Sequence, residues 1–284
     1  MRAAPELQIR PATSDDRSHV AALLSQAHWR HFHLDWRDPL DVLDQPPNLL
    51  GFRGERLEAQ LSAPPEVRGC AWVRSFCVAP GLAPLPAWRT LWAEAAAVAL
   101  GMDIPLVGCL LSGEWMRPLL NAAGFREVNS VVFFEWRYRP LPREPLLTDR
   151  IRPMAGSDLS RVYEVDGRAF PPLWRNGPDG LAAALQQSVV ATCLEVDNHV
   201  VGYQITTASP FGAHLARLAV DPDVQGRGFG AALVVDLLHQ LRRRGFDAVT
   251  LNTQADNRRS QELYRRLGFR ETGQRYPMFE IALA

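Results

Sequence analysis

The chain has 284 residues, 47% of them hydrophobic, with 31 basic side chains set against 31 acidic ones. Nothing in a zero net charge suggests nucleic acid or an anionic membrane as partner, and the length suits two domains with packed cores. No charged segment followed by an apolar run opens the chain, and no window approaches the roughly 18 apolar residues a membrane helix requires. A cytoplasmic protein with no membrane partner is therefore expected.

Leu7-Gln8-Ile9-Arg10-Pro11 reads as a strand ended by proline, and Asp16 opens a helical spacing through Val20, Leu23 and Leu24. The segment His28–Trp36 is rich in aromatics and holds His31, His33 and Asp35. H-x-H spacing is not diagnostic of a metal site, so none is expected. The segment reads as a packed helix end and loop, or as a wall of an acceptor site. Cys70, Cys77, Cys109 and Cys193 show no C-x-x-C pairing and read as buried thiols. Ser75-Phe76-Cys77-Val78-Ala79-Pro80 is a further strand. The run Arg139-Pro140-Leu141-Pro142-Arg143-Glu144-Pro145 reads as a stiff linker. It sets a boundary near residue 145, between a domain of residues 1–142 and another of residues 146–284.

Beyond it the pattern returns. Ile151-Arg152-Pro153 stands 142 residues after Ile9-Arg10-Pro11, with Asp158, Val162 and Val165 following. Gly268-Phe269-Arg270-Glu271 stands 144 residues after Gly124-Phe125-Arg126-Glu127, and Phe279-Glu280 answers Phe134-Glu135. A period this long signals duplicated domains. Phe170–Pro178 is a proline-rich loop with an exposed-looking Trp174 and Arg175, either an acceptor-site loop or ordinary packing. Val189–Val196 and His199–Thr207 are strands joined at Asp197-Asn198, a hairpin signal.

The stretch from Leu215 to Phe269 carries the chemistry. Leu215–Val220 is an apolar strand ended by Asp221-Pro222. Gln225-Gly226-Arg227-Gly228-Phe229-Gly230 follows, with Ala231, Val234, Leu237, Leu238 and Leu241 at helical spacing up to Gly245. Strand, glycine loop and helix aim backbone N–H groups and a positive helix end at one place, which suits a pyrophosphate. No Lys-Ser/Thr follows the glycines, and the chain contains no lysine. Ala248–Asn252 is the next strand. Asn257 opens a helix, with Tyr264 two turns later on the same face.

The pattern Val-Asp-Pro-x-x-Gln-Gly-x-Gly-x-Gly, followed by Asn257, Tyr264 and Gly268-Phe269, resembles the GNAT acetyltransferase superfamily over roughly residues 150–284. The resemblance implies an α/β fold of two tandem domains, each a mixed, mostly antiparallel sheet flanked by helices. It implies acetyl-CoA as acyl donor and an amine as acceptor. The pyrophosphate would lie on Gln225, Gly226, Arg227, Gly228, Phe229, Gly230 and Ala231. The pantetheine arm would run along Leu218, Ala219 and Val220 and past Asn257, and Tyr264 would protonate the leaving thiolate. His214, Glu164 and Glu195 are the rivals for the base. The tandem layout also resembles mycothiol synthases, which acetylate a glycoside amine. A non-catalytic acyl-CoA sensor is the alternative, although it would have no use for Tyr264.

In the first copy a constant offset of 142 puts Ala83, Pro84 and Pro86 where Gln225, Gly226 and Gly228 stand. The 144 offset puts Gly113 and Leu120 at Asn257 and Tyr264. Proline has no N–H to give, so the first copy is expected to be degenerate: a framework without cradle or acid.

Overall fold

The computed structural model describes residues 7–137, 140, 147, 150–209 and 212–284. The boundary near residue 145, and all of the proline linker except Pro140, lie outside the described residues. The chain packs as two compact units, Met1–Val128 with Tyr276–Ala284, and Asn129–Arg275.

The first half contributes β1 (Gln8–Pro11), α1 (Arg17–Gln26), β2 (Arg30–Phe32), β3 (Asn48–Arg53), β4 (Arg56–Ser62), β5 (Pro65–Val67) and β6 (Cys70–Trp72). Then come β7 (Ser75–Val78), α2 (Pro84–Gly101), β8 (Leu106–Leu110), α3 (Arg117–Ala122) and β9 (Arg126–Arg137). The second half contributes β10 (Ile151–Pro153), α4 (Leu159–Ala169), α5 (Pro178–Gln186), β11 (Ser188–Val196), β12 (His199–Ser209) and β13 (Gly212–Val220). It ends with α6 (Phe229–Arg243), β14 (Ala248–Gln254), α7 (Arg258–Arg266) and β15 (Arg270–Ala282).

In the first unit an antiparallel sheet runs β1-β3-β4-β7-β2. Beside β8 lie β6, parallel, and Met278–Ala282 of β15, antiparallel. Trp88, Leu91 and Trp92 of α2 pack with Phe76, Phe125 and Phe279 in its core.

In the second unit the order is β10-β11-β12-β13-β14, closed by the 131–137 part of β9. Only β13 and β14 are parallel. The apolar stripe of α6 (Val234, Leu237, Leu238, Leu241) joins Leu215, Leu251, Phe134 and Tyr264 in one core. The hairpin at Asp197-Asn198 has both residues at positive φ, 52° and 61°, the turn that matches strand twist.

β9 and β15 each begin in one unit and end in the other. The two residues matched by the repeat therefore change places: Phe134 lies in the second unit's core and Phe279 in the first's. A repeat boundary marks where the pattern restarts. The packing division marks where each strand finds its partner.

The equivalence of the two copies also needs one correction. Leu120 and Tyr264 do correspond, since Phe125 N donates to Leu120 O at 3.1 Å and Phe269 N to Tyr264 O at 3.0 Å, each after a glycine at positive φ. The offset of 142 does not carry through the loop. Helix α2 starts at Pro84, four residues after Pro80, whereas α6 starts at Phe229, seven after Pro222. Helix start to helix start, Ala83 matches Gly228, and Pro84 and Pro86 match Phe229 and Ala231. The first copy has lost three loop residues, and two of its first three helix positions lack an N–H.

Candidate functional site

Strands β13 and β14 pair only over Ala213–Leu215 and Val249–Leu251. Beyond that point each keeps its outer partner: Arg217–Val220 pair with β12, and Asn252–Gln254 pair with β9. The facing edges are left without a ladder, a slot inside a sheet. The bulge at Ala216, between the pairs Ile205–Arg217 and Thr206–Leu215, adds twist where the strands part.

A cavity of about 450 Å³ opens beside the unpaired stretch of β13. Its walls include Leu218, Ala219 and Val220 from β13, and Gln225, Gly226, Gly228, Phe229, Gly230 and Ala231 from the loop and first turn of α6. Asn257 lines it from the start of α7. Gly226 and Gly228 hold φ of +86° and +83°, which side chains rarely adopt. Gly228 caps α6, so the free amides of that first turn face the cavity end. Phe229 contributes backbone there, because its ring is buried with Leu194 and Leu233.

Two of the expected site residues stand apart from this lining. Arg227 is exposed on the loop. Tyr264 is only 6% exposed and packs between Phe134 and Phe269, at ring distances of 6.1 and 5.8 Å. Burial pushes its phenol well above the ordinary range, so it keeps its proton at neutral pH. Asn257 Oδ1 accepts from Ser260 N at 3.1 Å, so the residue caps α7 as well as lining the cavity.

Sequence reasoning missed Ala169, Arg259, Ser260, Leu263 and Arg266, which with Phe170 of the proline-rich loop complete the lining. The signal for four of them was available: they share a helix with Asn257 and Tyr264. Among the described residues no carboxylate lines the cavity, and Arg259 and Arg266 bring positive charge to it.

The loop after α4 is more tightly held than its prolines suggested. Trp174 and Arg175 are half-buried. Asp166, fully buried, accepts from Tyr203 Oη at 2.5 Å, Arg217 Nε at 2.7 Å and Asn176 N at 2.9 Å. Arg217 also donates to Trp174 O at 2.7 Å and lies 3.5 Å from the centre of the Phe170 ring. One buried carboxylate thus ties the loop to β12 and β13.

Of the three candidate bases, Glu164 is exposed and paired with Arg161, and Glu195 is held by Arg152 at 2.5 Å. His214 sits at the closed end of the slot, its Nδ1 2.9 Å from Thr250 Oγ1. Burial lowers its pKa, which keeps the ring neutral.

In the first unit, His31 is fully buried between Ser112 Oγ (2.8 Å) and Val73 O (3.0 Å). Asp35 is ion-paired with Arg74. Among the described residues no group of three His, Cys, Asp or Glu side chains could hold a metal ion, and all four cysteines are free and buried.

A cavity walled by a glycine loop and a helix N-terminus thus stands beside the parted strands of an α/β sheet. The profile described as Acetyltransferase (GNAT) family matches residues 159–269. The [ribosomal protein bS18]-alanine N-acetyltransferase of Salmonella typhimurium is 37% identical over 122 residues, 42% of this chain and 78% of that one. A mycothiol acetyltransferase of Saccharomonospora viridis is 31% identical over 154 residues, 48% of this chain and 49% of that one. The solved tandem GNAT protein from the clavulanic acid biosynthesis pathway shares the fold, with a TM-score of 0.65 at 18% identity over 98% of this chain and 99% of that one. The chain belongs to the GNAT acetyltransferase family. Its activity is of that class, acetyl transfer from acetyl-CoA to an amine.

Proposed function

We propose that the second unit is the working acetyltransferase and that its acceptor is the primary amine of a small molecule or a peptide. The observation that carries this reading is the slot between β13 and β14, with the glycine loop at its mouth. The unpaired edge of Leu218–Val220 suits the amide-bearing pantetheine arm, which can complete the missing ladder. The amides of Gly228 to Ala231 suit the pyrophosphate. A backbone N–H on the unpaired edge of β13 is suited to polarise the thioester carbonyl as its oxygen gains charge. Tyr264 then gives its proton to the departing sulfur, and its buried phenol is in the correct protonation state for that role.

The first unit holds no second copy of this site on the same reading. Pro84 and Pro86 remove donors from the first turn of α2, and Leu120 stands where the acid would be. Calorimetric titration of the full chain with acetyl-CoA tests this: one molecule per chain is expected, and two would refute the degeneracy of the first copy. Release of thiol from acetyl-CoA across a panel of amines and amino-terminal peptides then identifies the acceptor. Binding without release for every amine would favour the sensor reading instead.

A further inference from the structure

The first unit contains the same fork of strands that makes the slot in the second. Ala71–Val107 and Trp72–Gly108 pair in parallel, 142 residues before Ala213–Val249 and His214–Thr250. Val73 N donates to Gly108 O at 2.8 Å, and past that bond β7 and β8 part. Each keeps its outer partner: Ser75–Val78 pair with β4, and Cys109 and Leu110 pair with Phe279 and Met278 of β15. The inner edge of β7 is thus the counterpart of the edge that β13 presents to the slot. Ala79 N donates to Glu58 O in β4 at 2.7 Å, as Asp221 N does to Val201 O in β12 at 2.8 Å. Strand alternation then turns the N–H groups of Phe76 and Val78 inward, and likewise those of Leu218 and Val220.

In the first unit that edge is taken. β2 runs antiparallel along it, with Arg30, His31 and Phe32 opposite Cys77, Phe76 and Ser75. Val78 N donates to Trp29 O at 3.2 Å and His33 N to Arg74 O at 2.7 Å, so the ladder covers all of 74–78. The buried His31 ring reaches both banks of the fork: Val73 O at 3.0 Å, and Ser112 Oγ, just past β8, at 2.8 Å. Unpaired N–H groups inside a fold are costly. Here a stretch of the chain itself satisfies them.

The second copy treats the same stretch differently. The ion pair Arg10–Asp16, at 2.6 Å, recurs 142 residues on as Arg152–Asp158, at 2.7 Å, and α1 and α4 start in that register. Trp29–His33 therefore corresponds to Pro171–Arg175. Pro171 and Pro172 have no N–H. Trp174 N and Arg175 N donate to Pro171 O and Pro172 O at 2.9 and 3.2 Å, inside one tight turn. Arg217 of β13 holds that turn by Trp174 O. With its donors missing or spent, this stretch cannot build the same ladder on β13.

We propose that Trp29–His33 is a permanent occupant of the first copy's cofactor slot, lying on β7 where the pantetheine arm would lie on β13. The proposal rests on the reading of the second slot as the acetyl-CoA site. It makes the first unit closed by occupation, a cause separate from the loss of loop donors at Pro84 and Pro86. Loss of those donors alone would leave the inner edge of β7 open to water.

The test uses the full chain and amide hydrogen exchange followed in ¹H–¹⁵N spectra. Without acetyl-CoA, Phe76 and Val78 are expected to exchange at least about 10²-fold more slowly than Leu218 and Val220. Saturating acetyl-CoA is expected to slow Leu218 and Val220 and to leave Phe76 and Val78 unchanged. His31→Gly removes the ring that grips both banks and loosens the strand, and should speed Phe76 and Val78 about tenfold. Cys77, whose N–H faces β4, should stay slow in that variant. If His31→Gly does not fold, the wild-type comparison still decides. Phe76 and Val78 exchanging as fast as Leu218 and Val220 in the free protein would overturn the proposal, as would their slowing by acetyl-CoA. So would a rise at Cys77 equal to that at Phe76, which would make β2 an inseparable part of the sheet. Leu218 and Val220 unmoved while calorimetry shows acetyl-CoA bound would overturn the slot reading itself, a separate result.

Discussion

The guanidinium of Arg259 donates to Gln225 Oε1 across 2.6 Å, and Gln225 Nε2 donates in turn to Val220 O at 2.8 Å. One glutamine thus joins the end of β13 to α7 across the cavity. Arg259 also overhangs Gly226: a Cβ there would lie 3.7 Å from its Nη2. An anion held on the loop amides would meet this arginine. Arg259→Gln should weaken CoA binding about tenfold, in line with about 1.5–3 kcal/mol for a hydrogen bond to a charged group, reduced by exposure. Calorimetry at low and high salt should find the loss smaller at high salt.

Gly228 has φ +83° and no atom within 4 Å of an added Cβ, so backbone conformation and not space limits this position. Proline, restricted to φ near −65°, cannot adopt it and removes an N–H. Gly228→Pro should abolish CoA binding while far-UV circular dichroism stays close to wild type. Equal affinity in that variant would sink the loop assignment.

Tyr264→Phe keeps the packing against Phe134 and Phe269 and removes the proton. Turnover should fall about 10²–10⁴-fold, with CoA affinity little changed. If turnover is unaltered at every pH and chemistry limits the rate, Tyr264 is only a core residue.

Strand exchange predicts how the chain can be cut. A fragment of residues 146–284 lacks the β9 residues that pair with Ala248–Gln254, and with them Phe134 and Trp136, which are under 2% exposed. Losing either side chain costs about 3–5 kcal/mol, a large share of a domain's stability. That fragment should fail to unfold cooperatively, whereas residues 129–275 should bind CoA. A cooperative melt of 146–284 would show that β9 is dispensable.

Burial holds His31 at a pKa of about 4, below its ordinary 6.5. Between those values the unfolded chain binds a proton that the folded one does not. Stability therefore falls as pH drops through this window. The contribution is roughly 3 kcal/mol at one pKa unit per 1.36 kcal/mol. Denaturant unfolding of the first unit at pH 7 and pH 4 should show it, and His31→Gln should flatten the difference.

Elements, their order and the repeat were legible in the sequence because they rest on short-range causes. Alternation and helical spacing marked the strands and α6, proline marked strand ends, and Gly226 and Gly228 marked a backbone that only glycine adopts easily. Asn257 and Tyr264 were readable because two helical turns put them on one face. The tertiary structure alone decided which strands pair, and so where Phe134 and Phe279 are buried. Strand exchange leaves no local trace: the same apolar residue serves either core. It also decided the loop register around Pro84, because a constant offset cannot register three missing residues. Above all it opened the slot, since the parting of β13 from β14 depends on each strand's outer partner. That parting put His214, one of three candidate bases named from the sequence, at its closed end, where neither Glu164 nor Glu195 lies.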